Sequence, residues 1–99
     1  MPAARIDTGN GYTLMKLTIK YFASIREQLG IDHEIVEIDE PAFTMDALRA
    51  RMASRDERNG EALHASRPIR MAVNFEMVNE MFVVREDSEV AFFPPVTGG

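Results

Sequence analysis

The chain has 99 residues and no cysteine, with 11 Lys+Arg against 16 Asp+Glu, a formal net charge of −5. That length argues for one domain able to bury a core without staples. The missing cysteine excludes disulfides, thiolate metal sites and cysteine nucleophiles, so any sulfur-transfer chemistry needs a sulfur the sequence does not encode. The acidic balance argues against nucleic acid and favours a partner with a basic surface. No apolar run approaches the roughly 20 residues of a membrane span, and "MPAARIDTGNGYTL" lacks the apolar stretch of a signal peptide. A soluble cytoplasmic protein with no membrane partner is expected.

Residues 1–14 show no periodicity and carry the breakers Gly9, Asn10 and Gly11, so they are read as a flexible extension ahead of a domain spanning 15–99. "KLTIKYF" alternates: Leu17, Ile19 and Tyr21 face one way, and Lys16, Thr18, Lys20 and Phe22 the other. "SIREQLG" follows as a short helix, with Ser24 and Glu27 spaced as a capping box, Ile25 and Leu29 on one face and Gly30 as the stop. "HEIVEID" is a second strand, closed by Pro41. "TMDALRARMASRDER" is predicted to be the main helix. In it Thr44 is the N-cap, Met45, Leu48 and Met52 form the buried stripe, Arg49 and Arg51 face outward, and "RDER" is a solvated end broken by Gly60. "EALHAS" adds at most one more helical turn. Three strands complete the chain: "IRMAV", with Met71 and Val73 inward, a return starting at "MVN" after the tight connection "NFE", and "VAFF" after the polar turn "REDSE". The expected architecture is α+β, a mixed sheet with one main helix packed on one face and the other face open to solvent or a partner.

The last stretch, "VAFFPPVTGG", sets Val90 and Phe92 on the core parity and Ala91 and Phe93 on the other. Pro94 and Pro95 cannot continue a ladder and stiffen the exit, making 94–99 an extended tail. From Pro95 onward the chain reaches about 14 Å. Thr97, Gly98 and Gly99 make a thin end suited to insertion into another protein's active site, where glycine lets an enzyme close on the backbone. A frayed end is the alternative reading. The reactive group there is the α-carboxylate of Gly99, a poor electrophile when ionised. Activation by ATP to an acyl-adenylate, followed by displacement of AMP by sulfur, would leave a thiocarboxylate that needs no cysteine. Phe22, Phe93 and Met77 on the outward parity suggest a partner patch, with Pro94 and Pro95 at its margin. Arg26 either holds an acidic partner group or covers the helix face. His33 and His64 lie far apart, with no third ligand nearby, so no metal site is expected.

These segments carry a resemblance. "KYFASIREQLG", "AVN" and above all "EVAFFPPVTGG" resemble the small, sulfur-carrying subunits of molybdopterin synthase, members of the ubiquitin-like β-grasp superfamily. The turn Glu86-Asp87-Ser88 departs from the Asp-Gly-Asp common in that family, and residues 1–14 fall outside its pattern. The resemblance implies a carrier subunit that lacks catalytic side chains of its own and binds no permanent cofactor. An adenylating enzyme would activate it with ATP, a sulfur donor system would load Gly99, and the large synthase subunit would receive the sulfur. That subunit would use it to convert cyclic pyranopterin monophosphate to the dithiolene of molybdopterin. A carrier for another pathway, such as thiamine thiazole synthesis, and a ubiquitin-like protein modifier are the alternatives.

Overall fold

The computed structural model describes residues 14–95. Seven strands and three helices occur in the order β1 (Met15–Tyr21), α1 (Ala23–Leu29), β2 (His33–Ile38), β3 (Phe43–Thr44), α2 (Met45–Ala53), α3 (Glu57–Ala62), β4 (Arg70–Val73), β5 (Glu76–Val78), β6 (Val83–Val84) and β7 (Ser88–Phe93). Five strands form one sheet in the order β2-β1-β7-β4-β5, and β3 pairs with β6 in a separate two-stranded ladder. The first and last of these strands, β1 and β7, lie side by side in parallel, while β1–β2, β4–β7 and β4–β5 are antiparallel. The sheet is therefore mixed, with the helices on one face: an α+β β-grasp fold.

Alternation in β1 decides which face is covered. Met15, Leu17, Ile19 and Tyr21 are buried, as are Val90 and Phe92 of β7 and Met71 and Val73 of β4. Against them pack Ile25 and Leu29 of α1, Met45, Leu48 and Met52 of α2, and Ala62 and Leu63 at the end of α3. The rings of Tyr21 and Phe92 stack with centroids 6.3 Å apart. Thr44 caps α2 as its position suggests, its hydroxyl accepting from the Ala47 amide at 3.1 Å. The next orphan amides of α2 donate to a neighbouring loop: Met45 to the Phe82 carbonyl and Asp46 to that of Glu80. Gly30 ends α1 with φ +78°.

Several expectations need correction. The main helix is two helices: α2 stops at Ala53, and Asp56, whose carboxylate accepts from the Asn59 amide at 2.7 Å, caps α3. Gly60 lies within α3 and breaks nothing; a Cβ there would stand 3.2 Å from the Ala53 carbonyl, so glycine lets the two helices meet. "RDER" is exposed, as expected, but it is not a helix end: Arg55 and Asp56 form the junction, Glu57 and Arg58 open α3, and Arg55 reaches Glu34 of β2. Arg49 is half-buried, with its guanidinium donating to the carbonyls of Leu63 (2.9 Å), His64 and Arg67 (2.8 Å) beyond α3. Burial lowers its pKa from the ordinary arginine value. Ser24 caps nothing, because α1 begins one residue earlier, at Ala23. The Phe22 amide still donates to the Phe92 carbonyl at 3.2 Å, so the chain must turn abruptly, and Ala23 takes φ +53°. A left-handed non-glycine residue costs about 1–2 kcal/mol. Finally, β3 and β6 were not foreseen, and β7 starts two residues before Val90, at Ser88.

Candidate functional site

The site is built around the end of β7. This strand is bonded on both flanks, to β1 and β4, and leaves the sheet at Phe93 into Pro94 and Pro95, both half-buried. A tail anchored on a central strand leaves a rigid base, because Val90, Ala91 and Phe92 behind it are paired on both sides. Thr97, Gly98 and Gly99 lie outside the described residues, as do residues 1–13.

The uncovered face of the sheet can be read from the registers. Lys20, Ala91, Ala72 and Met77 form one row across β1, β7, β4 and β5. Phe93 and its cross-strand partner Arg70 form the next row toward the tail. Phe22 lies just past the end of β1, its ring edge-on to that of Phe93 with centroids 6.4 Å apart. Two alanines thus floor a shallow strip, bordered by Phe22 and Phe93 at the tail end and by Met77 on the sheet edge. Phe22 is 43% exposed and Met77 54%. Phe22, Phe93 and Met77, the residues expected on one face, do share it. Arg26 is exposed one helical turn beyond Phe22, its amide bonded to the Phe22 carbonyl at 3.3 Å.

Directly beneath the Phe22–Phe93 pair, on the covered side, the Tyr21 hydroxyl donates to Glu34 Oε2 at 2.6 Å, and Arg55 Nη1 holds Glu34 Oε1 at 2.9 Å. Burial first, and then the bond to Glu34, push the Tyr21 hydroxyl well above the usual phenol range. This polar chain ties the last rung of β1 to β2 and to the α2–α3 junction. On the open face Lys20 has its own counter-ion, Glu89, at 3.3 Å. Arg70 has none among the described residues.

Arg70 is the residue that sequence reasoning missed. Its outward parity was legible in "IRMAV", but its place beside Phe93 depends on the β4–β7 register. Met81 and Phe82, both exposed, line a groove with Arg70 and Met77 along β5 and were also missed. At the far end of β4, Asn74 (φ +50°) and Phe75 (φ +72°) make the two-residue turn foreseen at "NFE". Asn74 exchanges bonds with Glu89, its amide donating at 2.8 Å and its side-chain oxygen accepting at 2.9 Å. Phe75 is 85% exposed there, about four residue steps or ~13 Å along β7 from the tail exit. His33 is beside Asp32, and His64 beside Ser66. The hydrogen bond from His33 holds the Asp32 carboxyl below its ordinary pKa. Among the described residues no group of three potential ligands could hold a metal ion, and no helix is long and apolar enough to cross a membrane.

The chain is similar to known carriers over this whole region. A model of the ThiS family matches residues 19–99. The molybdopterin synthase sulfur carrier subunit of Escherichia coli (strain K12) is 40% identical over 83 residues, which is 84% of this chain and 99% of that protein. Among solved structures, the putative molybdopterin converting factor subunit 1 of Pyrococcus furiosus superposes with a TM-score of 0.67 at 25% identity, covering 83% of this chain and 99% of its own. A chain of the protein-protein complex of subunits 1 and 2 of the molybdopterin-converting factor from Helicobacter pylori 26695 has the same fold: TM-score 0.58, 20% identity, 86% of this chain and 100% of that one. The chain belongs to the ThiS family, among the molybdopterin synthase sulfur carrier subunits.

Proposed function

We infer that this chain is the sulfur carrier subunit of a molybdopterin synthase, acting in molybdenum cofactor biosynthesis. The observation that carries the reading is the path of β7: a doubly paired central strand that delivers the chain, through Pro94-Pro95, toward the Gly98-Gly99 pair at which the family match ends. The Gly99 carboxylate attacks the α-phosphorus of ATP on an adenylating enzyme, releasing pyrophosphate. A sulfur nucleophile at the sulfide level then attacks the acyl carbon and expels AMP, leaving the thiocarboxylate. Thr97, Gly98 and Gly99 enter the active site of the large synthase subunit, which supplies the catalytic side chains. The open sheet face, with Phe22, Phe93, Met77, Pro94 and Pro95, docks against that subunit, and Arg26 contacts its rim. The carrier binds no permanent cofactor; ATP is consumed by its activating partner.

Intact-mass measurement tests the chemistry. After incubation with ATP, the adenylating enzyme and a sulfur donor, the chain should gain the mass difference between one sulfur and one oxygen atom. An unchanged mass, with an active adenylating enzyme, overturns the reading. Adducts on lysines of other proteins, without any loaded thiocarboxylate, would point instead to a protein modifier.

A further inference from the structure

The open face is apolar around the tail exit, and the charge set directly beside Phe93 is Arg70; Glu76 and Glu80 line the groove farther along β5, neither within salt-bridge distance of it. Arg70 lies directly across from Phe93 in the β4–β7 register, two residues from Ala72 in the alanine strip, and borders the groove that holds Met77, Met81 and Phe82. Lys20, one row back on the same face, is neutralised within the chain by Glu89 at 3.3 Å. The Arg70 guanidinium has no anionic partner within salt-bridge distance among the described residues. A partner that covers Phe22, Phe93 and Met77 must also cover Arg70, since it sits between them. Taking a guanidinium out of water without a counter-charge costs several kcal/mol, about as much as a good apolar contact patch can contribute.

We propose that Arg70 is a specificity-determining residue of the docking face, and that the large synthase subunit places an Asp or Glu carboxylate against it when the tail is inserted. The proposal rests on the docking role given to this face above. A guanidinium suits the task because its planar fork can take both carboxylate oxygens while an arginine's apolar stem can be buried against apolar neighbours. The chain as a whole is acidic, at −5, so this contact runs against the net charge, and charge matching at this spot selects the partner and fixes the register of the tail. A large subunit with a lysine or a bare apolar surface opposite Arg70 would be rejected.

The test is binding kinetics of the full chain with the purified large subunit of the same organism, comparing wild type, Arg70→Met, Arg70→Gln, Arg70→Lys and Arg70→Glu, with Lys20→Met as the control. Melting curves accompany each variant; because Arg70 is exposed in the free chain, they should be nearly superimposable. Arg70→Met and Arg70→Gln should weaken binding by about 30-fold or more, mainly through faster dissociation, as expected when a buried charge loses its mate. Arg70→Glu should weaken it further, Arg70→Lys less, and Lys20→Met only a few-fold, about what a self-neutralised surface pair allows. Arg70→Met binding as tightly as wild type, or a change confined to the association rate, overturns the proposal, because the residue would then lie at a wet rim. Failure of the wild type itself to bind overturns the docking role on which the proposal rests, a result distinct from tight binding by the variants.

Discussion

The two faces of the central sheet carry similar side chains under opposite conditions. Phe92 and Phe93 are consecutive in β7, yet Phe92 is fully buried against Tyr21, while Phe93 is half-buried on the other face, with the ring of Phe22 edge-on to it. On the covered face three helices from the same chain exclude water. On the open face nothing from the described residues does so, although Phe22 and Met77 keep about half of their surface in solvent there. The apolar area of one face stabilises the fold, and that of the other stays in contact with solvent, where only the docking role proposed above would bury it. A small carrier can separate these tasks because a strand alternates: substitutions one residue apart should act on different free energies.

The sharpest test of that separation lies beyond the sheet. Deleting Gly99 should leave the circular dichroism spectrum and melting temperature unchanged, yet reduce dithiolene formation in a synthase assay by more than about 10²-fold, since displacements near 1 Å already cost that much. A deletion variant working at the wild-type rate would show that the terminal glycines take no part. Next in size, Phe92→Ala should cost about 3–5 kcal/mol of stability by opening a cavity in the core. Phe93→Ala should weaken binding to the large subunit by about 2 kcal/mol while moving the denaturation midpoint little. If the two substitutions exchanged their effects, the division between the faces would be wrong.

A smaller effect should come from Tyr21→Phe, which removes the bond to Glu34 while Arg55 still holds the carboxylate; about 1 kcal/mol of stability at neutral pH is expected. The pH dependence has a definite sign. The folded hydroxyl keeps its proton far into the alkaline range, whereas in the unfolded chain it ionises near its ordinary pKa of 10.0. Above that pH the unfolded state binds fewer protons, so stability should fall as pH rises, by about 1.4 kcal/mol per unit from this group. Urea melts of wild type and Tyr21→Phe from pH 8 to 11 should show the extra alkaline loss only in the wild type. Smallest of all, a chain starting at Met15 should melt within a degree or two of the full chain, a shift worth less than about 0.5 kcal/mol. A larger drop would make residues 1–14 part of the stable unit.

The sequence was most informative where one period dominates. The alternation of β1 and β7 placed Phe22, Phe92 and Phe93 on their proper faces, and Thr44 marked the start of α2. It was least informative where a residue's role depends on something distant. Gly60 looks like a helix breaker until the Ala53 carbonyl is seen beside it. Arg55 and Arg49 look like solvated helix charges until Glu34 and the 63–67 carbonyls are found within reach. The β3–β6 ladder, two residues on each side, is too short for any period to register. Arg70 belongs with these cases. Its outward parity could be read from "IRMAV", but only the strand register sets it beside Phe93, at the exit of the tail.

The parallel pairing of β1 with β7 also has a mechanical consequence. Any load on the segment that follows Phe93 passes along β7. That strand is bonded lengthwise to β1 on one side and β4 on the other. Pulling on it shears both ladders at once, so several hydrogen bonds must yield together, where peeling an edge strand would break them one by one. A pull on the end of β7 is therefore resisted by both ladders together.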